Sequence, residues 1–449
     1  MFWATRPDVL APSTLQLKCW TVPNAPESPT ALPSPATRAT RLAWTIWAVG
    51  ILAYITAVLH RTSFGVAGIE ATERFQVTAS VLSTFAVLQV LVYTVCQIPA
   101  GLLLDRFGPR TMIAAGALLM SAGQLLLAFA PDVGTAIAAR VLVGAGDATT
   151  FVSVLSLATG WFPPRYASLL TQLTGLLGQA GQVLSAIPLV ALLHGPGWST
   201  AYGSAASLGL LVAVLAFAVL RGPPRDAAIP SLAQIRTNLV DAWRHPGTRL
   251  GLWTHFVTQF SANTFSLMWG YPYLVSAQGL SPTTAGTLLL VFVVAAMAAG
   301  PLIGRWLGTH PTHHVRVAVG IAVLIVSTWT AVLALPVRSP LWLLTALVVV
   351  TAMGGPAAMI GFDHAREHNP AHRLGTATGI VNAGGFTAAL VANLAMGVIL
   401  DLASPTSAFT FDAFRLAWLA QYPLWLLGLW QIHRTRRATL RFAQIPGPR

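Results

Sequence analysis

The sequence predicts an all-α membrane protein whose twelve transmembrane helices are arranged as two six-helix bundles. Composition, the length of the apolar runs and the placement of charge predict it. Hydrophobic residues make up 55% of the 449 and charged residues only 9%, with a mean hydropathy of +0.67. A soluble domain of that length carries about a quarter of its residues as charges. Apolar runs of about 20 residues suit a hydrocarbon core roughly 30 Å thick. They fall at 42–69, 79–103, 111–130, 134–161, 167–193 and 199–220, then at 250–275, 283–306, 316–335, 340–362, 374–400 and 413–433.

The polar stretch 221–249 separates the two sets as a cytoplasmic linker, giving bundles over 42–220 and 250–433 and a basic tail over 434–449. Residues 1–41 hold Pro7, Pro12, Pro23, Pro26, Pro29, Pro33 and Pro35 and have no signal-peptide core, so they read as a disordered cytoplasmic tail. With both termini placed in the cytoplasm, all but five of the 26 Lys and Arg fall in the tails and inner loops. The five are Arg61, Arg74, Arg140, Arg338 and Arg415, and the asymmetry follows the positive-inside rule. The net charge of +13 is therefore a mark of topology and not of nucleic-acid binding.

Cys19 in the tail and Cys96 in an apolar run offer neither a disulfide framework nor a metal site. No serine elbow, phosphate-binding glycine loop or paired carboxylates occur, which disfavours a transport ATPase or a hydrolase, and no cofactor is expected. His310, His313 and His314, and the stretch Asp363 to Arg373 with His364, Glu367, His368 and His372, have metal-ligand chemistry. Both read as solvated loops with no fold to hold a ligand geometry, so no metal is expected.

Between the second and third runs stands Gly101-Leu-Leu-Leu-Asp105-Arg106-Phe107-Gly108-Pro109-Arg110. Its glycines permit close backbone approach, and Asp105 is placed to face the N-terminus of a neighbouring helix. This loop resembles the signature loop of the major facilitator superfamily of secondary transporters through Gly101, Asp105, Arg106, Gly108 and Arg110. The resemblance implies the major facilitator fold and a conformational-switch role for these five residues. An echo, Gly300-Pro-Leu-Ile-Gly304-Arg305-Trp306-Leu307-Gly308, stands at the equivalent place in the second half. Gly304 replaces the acid there, so no charged lock is expected on that side.

A charge near the bilayer centre costs about 2.5–3.5 kcal/mol on insertion scales, so ionisable residues inside the runs mark working sites. Arg140 and Asp147 share one face of the fourth run, about 10 Å apart along the axis. In the first run Tyr54 and Arg61 share a face, with His60 beside them. Arg61 and Arg140 lie at similar depth, and two guanidiniums at one level are suited to clamp an anion.

The set His60, Arg61, Arg140, Gly144 and Asp147 resembles the anion:cation symporter subfamily. The resemblance implies that Arg61 binds a substrate carboxylate and that Asp147 takes the coupling proton. His60 stands where an acid is common and Asp147 where Glu is usual; His60 could itself titrate. Gln89, Tyr93 and Gln97 stripe the second run, Gln179 and Gln182 the fifth. In the seventh, Gln259 and Asn263 precede a hinge-like Trp269-Gly270-Tyr271-Pro272-Tyr273, while Asn382, Gly385, Phe386 and Asn393 complete the site from the eleventh.

The reading is a monomeric secondary transporter in the lipid bilayer that takes up a small organic anion with a proton by alternating access. Arg61, Arg140, Tyr54, Asn263 and Asn382 would bind substrate, with Asp147 and His60 coupling the proton. A proton-driven exporter of hydrophobic compounds on the same fold is the first rival, weakened by the lack of a Gly-Pro motif in the fifth run. A non-transporting signalling or assembly protein is the second. A nitrate porter fits less well, since the second run has no Arg.

Overall fold

Apolar runs in a bilayer must satisfy their own backbone, and every regular element among the described residues is helical. The computed structural model describes residues 40–76, 79–222, 231–403 and 410–443. The expectations for the N-terminal tail and the last residues of the basic tail lie outside them. In chain order the passes are α1 (Arg41–Thr62), α2 and α3 (the arms of Ala79–Ala128 before and after Gly108), α4 (Val133–Trp161), α5 (Pro164–His194) and α6 (Trp198–Val219). After an amphipathic connector, Leu232–Arg244, come α7 (Pro246–Thr264, prolonged to Ala277), α8 (Pro282–Thr309), α9 (His314–Ala334), α10 (Leu341–His368), α11 (Leu374–Ala403) and α12 (Phe411–Leu419 with Gln421–Ala443).

Nine described segments are long and apolar enough to cross a membrane, and one of them, Val87–Ala128, contains two passes. Gly108 divides it: its φ of 78° lies in the left-handed region that L side chains avoid, and the chain reverses there. The remaining passes are the most polar. Along α7 stand Thr254, His255, Thr258 and Ser261, all buried in protein, and α12 ends in the arginines 434, 436, 437 and 441.

Short polar residues start the helices by accepting from their first turns: Thr40 from Ala43 N, Ser281 from Thr284 N, Thr410 from Ala413 N. Asp132 does so for α4, and its bonds from the Thr135 amide and hydroxyl hold the carboxyl below its usual range. Three stretches depart from α geometry. Ser185–Leu189 in α5, which contains Pro188, and Phe265–Trp269 and Tyr273–Ala277 in α7 are π turns. The hinge expected over residues 269–273 is thus a continuous helix flanked by two wide turns.

One apolar core lies wholly in the second half, while the largest core of the first half runs on into Phe362, Ala365, Ala377, Ile380 and Val381 of α10 and α11. The second half packs Phe265, Tyr273 and Phe414 around stacked Trp329 and Trp418, whose rings are 4.1 Å apart. The first half fills with small residues and Phe151, Tyr54 and Leu157.

At the end where α2 turns into α3, the halves touch along two seams. In one, Gly101 and Gln97 of α2 meet Gly375 and Gly379 of α11; in the other, Gly304 and Gly308 of α8 lie on Arg165, Ser168 and Leu169 of α5. The glycine echo in the second half is therefore a close-approach surface. A Cβ on Gly101 would overlap the Gly375 carbonyl oxygen and sit 2.9 Å from its carbon and 3.0 Å from Thr376 Cα. Backbone cannot yield as a side chain does, so Gly101→Ala is expected to destabilise this closed seam by about 1–3 kcal/mol. Spin-label distances between α2 and α11 at this end should lengthen in the variant, and unchanged distances would refute the packing argument.

Candidate functional site

The regular part of α1 stops at Thr62, one residue after Arg61, and the chain continues as a 3₁₀ turn and a short helix, Gly68–Phe75. A helix end leaves its last carbonyls unsatisfied. Four side chains meet that need here. Arg140 Nη2 donates to the carbonyls of Arg61 (3.0 Å) and His60 (3.4 Å), Gln89 to Arg61 O, Gln124 to His60 O (3.2 Å), and Tyr202 to Ser63 O (3.1 Å).

Arg140 also donates to Gln89 Oε1 and lies over the Phe64 ring, 5.3 Å from its centroid. It is 1% exposed, and its Nε and Nη1 have no hydrogen-bond partner among the described residues. The Arg140 guanidinium meets the backbone of residues 60 and 61, while the Arg61 guanidinium lies on Asp147. Arg140 thus holds the end of the helix that carries Arg61 and does not stand beside it as the second arm of a clamp.

Asp147 is the partner of Arg61, not of Arg140. Arg61 Nε and Nη2 donate to the two carboxylate oxygens at 2.6 and 2.9 Å, a bidentate fork between α1 and α4. Residues 140 and 147 are almost two turns apart; α1 runs alongside α4, with Gly50 against Val154 and Leu157 and Tyr54 against Phe151, its last carbonyls fall on Arg140, and the Arg61 side chain reaches Asp147. The two guanidiniums expected to clamp an anion are thus both engaged within the protein. Arg61 is 24% exposed while Asp147 is fully buried, so the pair has one open side.

That open side belongs to a polar chain crossing from one half to the other. The Arg61 guanidinium lies 4.9 Å from the centroid of the Tyr93 ring. Asn382 of α11 donates to Tyr93 Oη (3.1 Å) and to Gln97 Oε1 (2.7 Å), and Phe386 sits edge-on to Tyr93 at 4.6 Å. Tyr54, two turns before Arg61, is buried against Phe151 and Gly178. Asn263 is half-buried on α7 and hydrogen-bonds to none of these residues. His60 points the other way: its Nε2 donates to Ala205 O on α6 at 2.9 Å, and Gly209 packs on its ring.

The signature loop is built as its charges suggest. Asp105 accepts from the amides of Gly375 and Thr376, both at 2.7 Å, and from Thr376 Oγ1 at 2.5 Å, so it caps α11 of the other half. Arg110 donates twice to Phe217 O, near the last turn of α6, and lies over the Phe217 ring. Arg106 is stacked on Phe107.

The second seam carries a charged lock after all. Asp363, on α10, accepts from Ser168 Oγ (2.9 Å) at the start of α5 and pairs with Arg366 (2.8 Å) and His314 (3.3 Å). Asp363 and His364 are 2% and 3% exposed, so the first part of the stretch read as a solvated loop is a helix end buried at those two residues, while Pro370, Ala371 and His372 are exposed. The i, i+3 spacing of Asp363 and Arg366 was the one available signal, and it reads as helix only once the run is extended past 362.

Two bundles of six, meeting at one end below a charged pair with an open side, define a membrane transporter and not an enzyme. The model of the Major Facilitator Superfamily matches residues 50–393 and 253–445, and the chain belongs to that family. It is 28% identical over 323 residues to the "Probable nitrate/nitrite transporter" of Mycobacterium tuberculosis, covering 70% of this chain and 78% of that one. To the D-galactonate transporter of Escherichia coli it is 26% identical over 288 residues, 57% and 65% of the two chains. Among solved structures, a proton:xylose symporter aligns with a TM-score of 0.66 at 15% identity over 90% of this chain and 97% of that one. A bacterial homologue of the lysosomal transporter Spinster gives 0.58 at 16% identity over 90% and 99%.

Proposed function

We propose that this transporter takes up a small organic anion together with a proton, and that Arg61 is the residue that holds the anion. The bidentate Arg61–Asp147 pair with one open side carries the reading. A guanidinium fork that accepts one carboxylate accepts another, so an entering anion competes with Asp147 for Arg61. Asp147, displaced within a fully buried site, loses its counter-ion; a buried unpaired charge costs several kcal/mol, and taking up a proton removes it. Anion and proton then load together. The names of the relatives support the cargo class, since nitrate, nitrite and galactonate are all anions.

Arg140 and Gln89 position Arg61 by fixing the end of α1. Tyr93 and Asn382 report the state of the site to the second half. The bias of Lys and Arg puts the Asp105 end and both termini in the cytoplasm, so the arrangement with closed seams at that end is the outward-facing one. In this scheme Asp105→Asn removes a charge and one acceptor from three bonds on α11. Charge-assisted bonds contribute about 1.5–3 kcal/mol each, so the outward-facing population should fall by about tenfold or more. Exchange should slow while substrate affinity stays within about threefold. A variant transporting at the wild-type rate would remove Asp105 from the switch.

Proteoliposomes holding the purified protein test the function. With an acidic exterior, they should accumulate an aldonate such as galactonate and carry protons inward with it, while a neutral sugar is left behind. Nitrate serves as a second probe of anion size. Extrusion of neutral hydrophobic dyes without anion uptake would replace this reading by the exporter.

A further inference from the structure

At the end of α10, far from Arg61 along the bundle, His364, Glu367 and His368 stand one turn apart on a single helix face. One ligand atom from each lies within 4.8 Å of the other two. Three features set this cluster apart from an ordinary polar helix end. The His364 ring is buried, 3% exposed, yet neither of its nitrogens has a hydrogen bond among the described residues, and its Nδ1 lies 3.9 Å from the Glu367 carboxylate. His368 is oriented: its Nδ1 donates to the His364 carbonyl at 3.0 Å, which fixes the tautomer and leaves Nε2 as a lone-pair donor. A ring N–H bound to a backbone carbonyl is the outer-shell arrangement that metal-ligating histidines use. Third, the cluster opens on a recess of about 400 Å³ lined by Glu367, His368, His245 and Phe442, which gives an ion a path from solvent and room for water ligands.

We propose that His364, Glu367 and His368 form a binding site for a divalent transition-metal ion of the zinc type. Imidazole and carboxylate donors suit such an ion, and bonds near 2.1 Å place tetrahedral donors roughly 3.4 Å apart. The cluster must therefore contract by up to about 1.4 Å. Glu367, whose side chain is 34% exposed, supplies that movement by a change of rotamer, while the histidines stay where packing holds them. The rigidity of their side of the site comes from α7: a Cβ at Gly247 would overlap the His368 ring, so that side chain packs directly on the α7 backbone. Calcium and magnesium, which require six or more oxygens or an octahedral water shell, do not fit two imidazoles and one carboxylate. The fourth position faces the recess and takes water.

Equilibrium dialysis of the full-length protein against Zn²⁺, with any polyhistidine tag removed, tests the site, and Co²⁺ absorption reads the coordination. One equivalent of Zn²⁺ should bind at micromolar free ion or tighter. His368→Gln and Glu367→Gln should each weaken binding at least about tenfold. Both side chains are partly exposed, and the variants should unfold at the temperature of the parent, which keeps the test independent of the buried His364. The exposed pair His310 and His313 is the control, and His310→Gln with His313→Gln should leave binding unchanged. No binding below millimolar Zn²⁺, binding unaffected by His368→Gln, or binding lost only in the control would overturn the proposal.

Discussion

Asp147→Asn is expected to abolish accumulation of the anion against its gradient while leaving the anion bound. The asparagine keeps the shape of the acid but can neither hold Arg61 by charge nor release a proton. Arg61 loses its fork of 2.6 and 2.9 Å and stands free for the substrate. Affinity should hold or rise, because the entering anion no longer displaces a competitor worth a charge-assisted pair, about 1.5–3 kcal/mol per bond. Counterflow exchange, which needs no net proton movement, should continue. Binding by calorimetry, gradient-driven uptake and exchange in the same proteoliposomes separate these effects. If Asp147→Asn still concentrates substrate when the exterior is acidic, the proton travels by another group. His60 is badly placed to be that group, since its ring faces Ala205 on α6.

Arg61→Lys should fail almost as completely, and for a reason that charge alone does not give. Lysine supplies a point charge in place of a planar fork, so it cannot bridge both oxygens of Asp147 or of a substrate carboxylate. Losing one charge-assisted bond of about 1.5–3 kcal/mol predicts a loss in apparent affinity of roughly 10- to 100-fold. It also removes the guanidinium plane from the face of Tyr93, weakening the link from the site to Asn382 of the second half. Uptake kinetics over a wide range of substrate concentration measure this. Wild-type uptake by Arg61→Lys would show that the anion is held elsewhere, with the two unpartnered donors of Arg140 the first place to look.

The passes were legible because a bilayer selects for composition, and long apolar runs cannot hide. Asp105 was legible because a short charged turn between two such runs leaves it few things to face. What failed to show was which helix stands beside which. Arg140 and Asp147 share a face of α4, and periodicity pairs them; the neighbour that takes Asp147 comes from α1, 86 residues earlier in the chain. The capping role of Arg140 was hidden for a related reason, since nothing in the apolar run of α1 marks the regular helix as ending at Thr62. Asp363 and His364 were missed on different grounds. Hydropathy reports where lipid ends and not where a helix ends, and α10 continues to His368, buried as far as Ala365.

The π turns of α5 and α7 bear on how the far side of the molecule could rearrange. A π turn stores one residue more than an α turn. Passing that residue along the helix rotates the segment beyond it by roughly 100° and shifts it by about 1.5 Å. The turn at Ser185–Leu189 lies against the site, because Ser185 Oγ is 2.7 Å from the hydroxyl of Thr62, the residue after Arg61. Slack of this kind offers a route for α5 to re-register beyond Leu189 without unwinding. The same reserve at both ends of residues 265–277 would let α7 turn new side chains toward α1 while its inner portion stays packed.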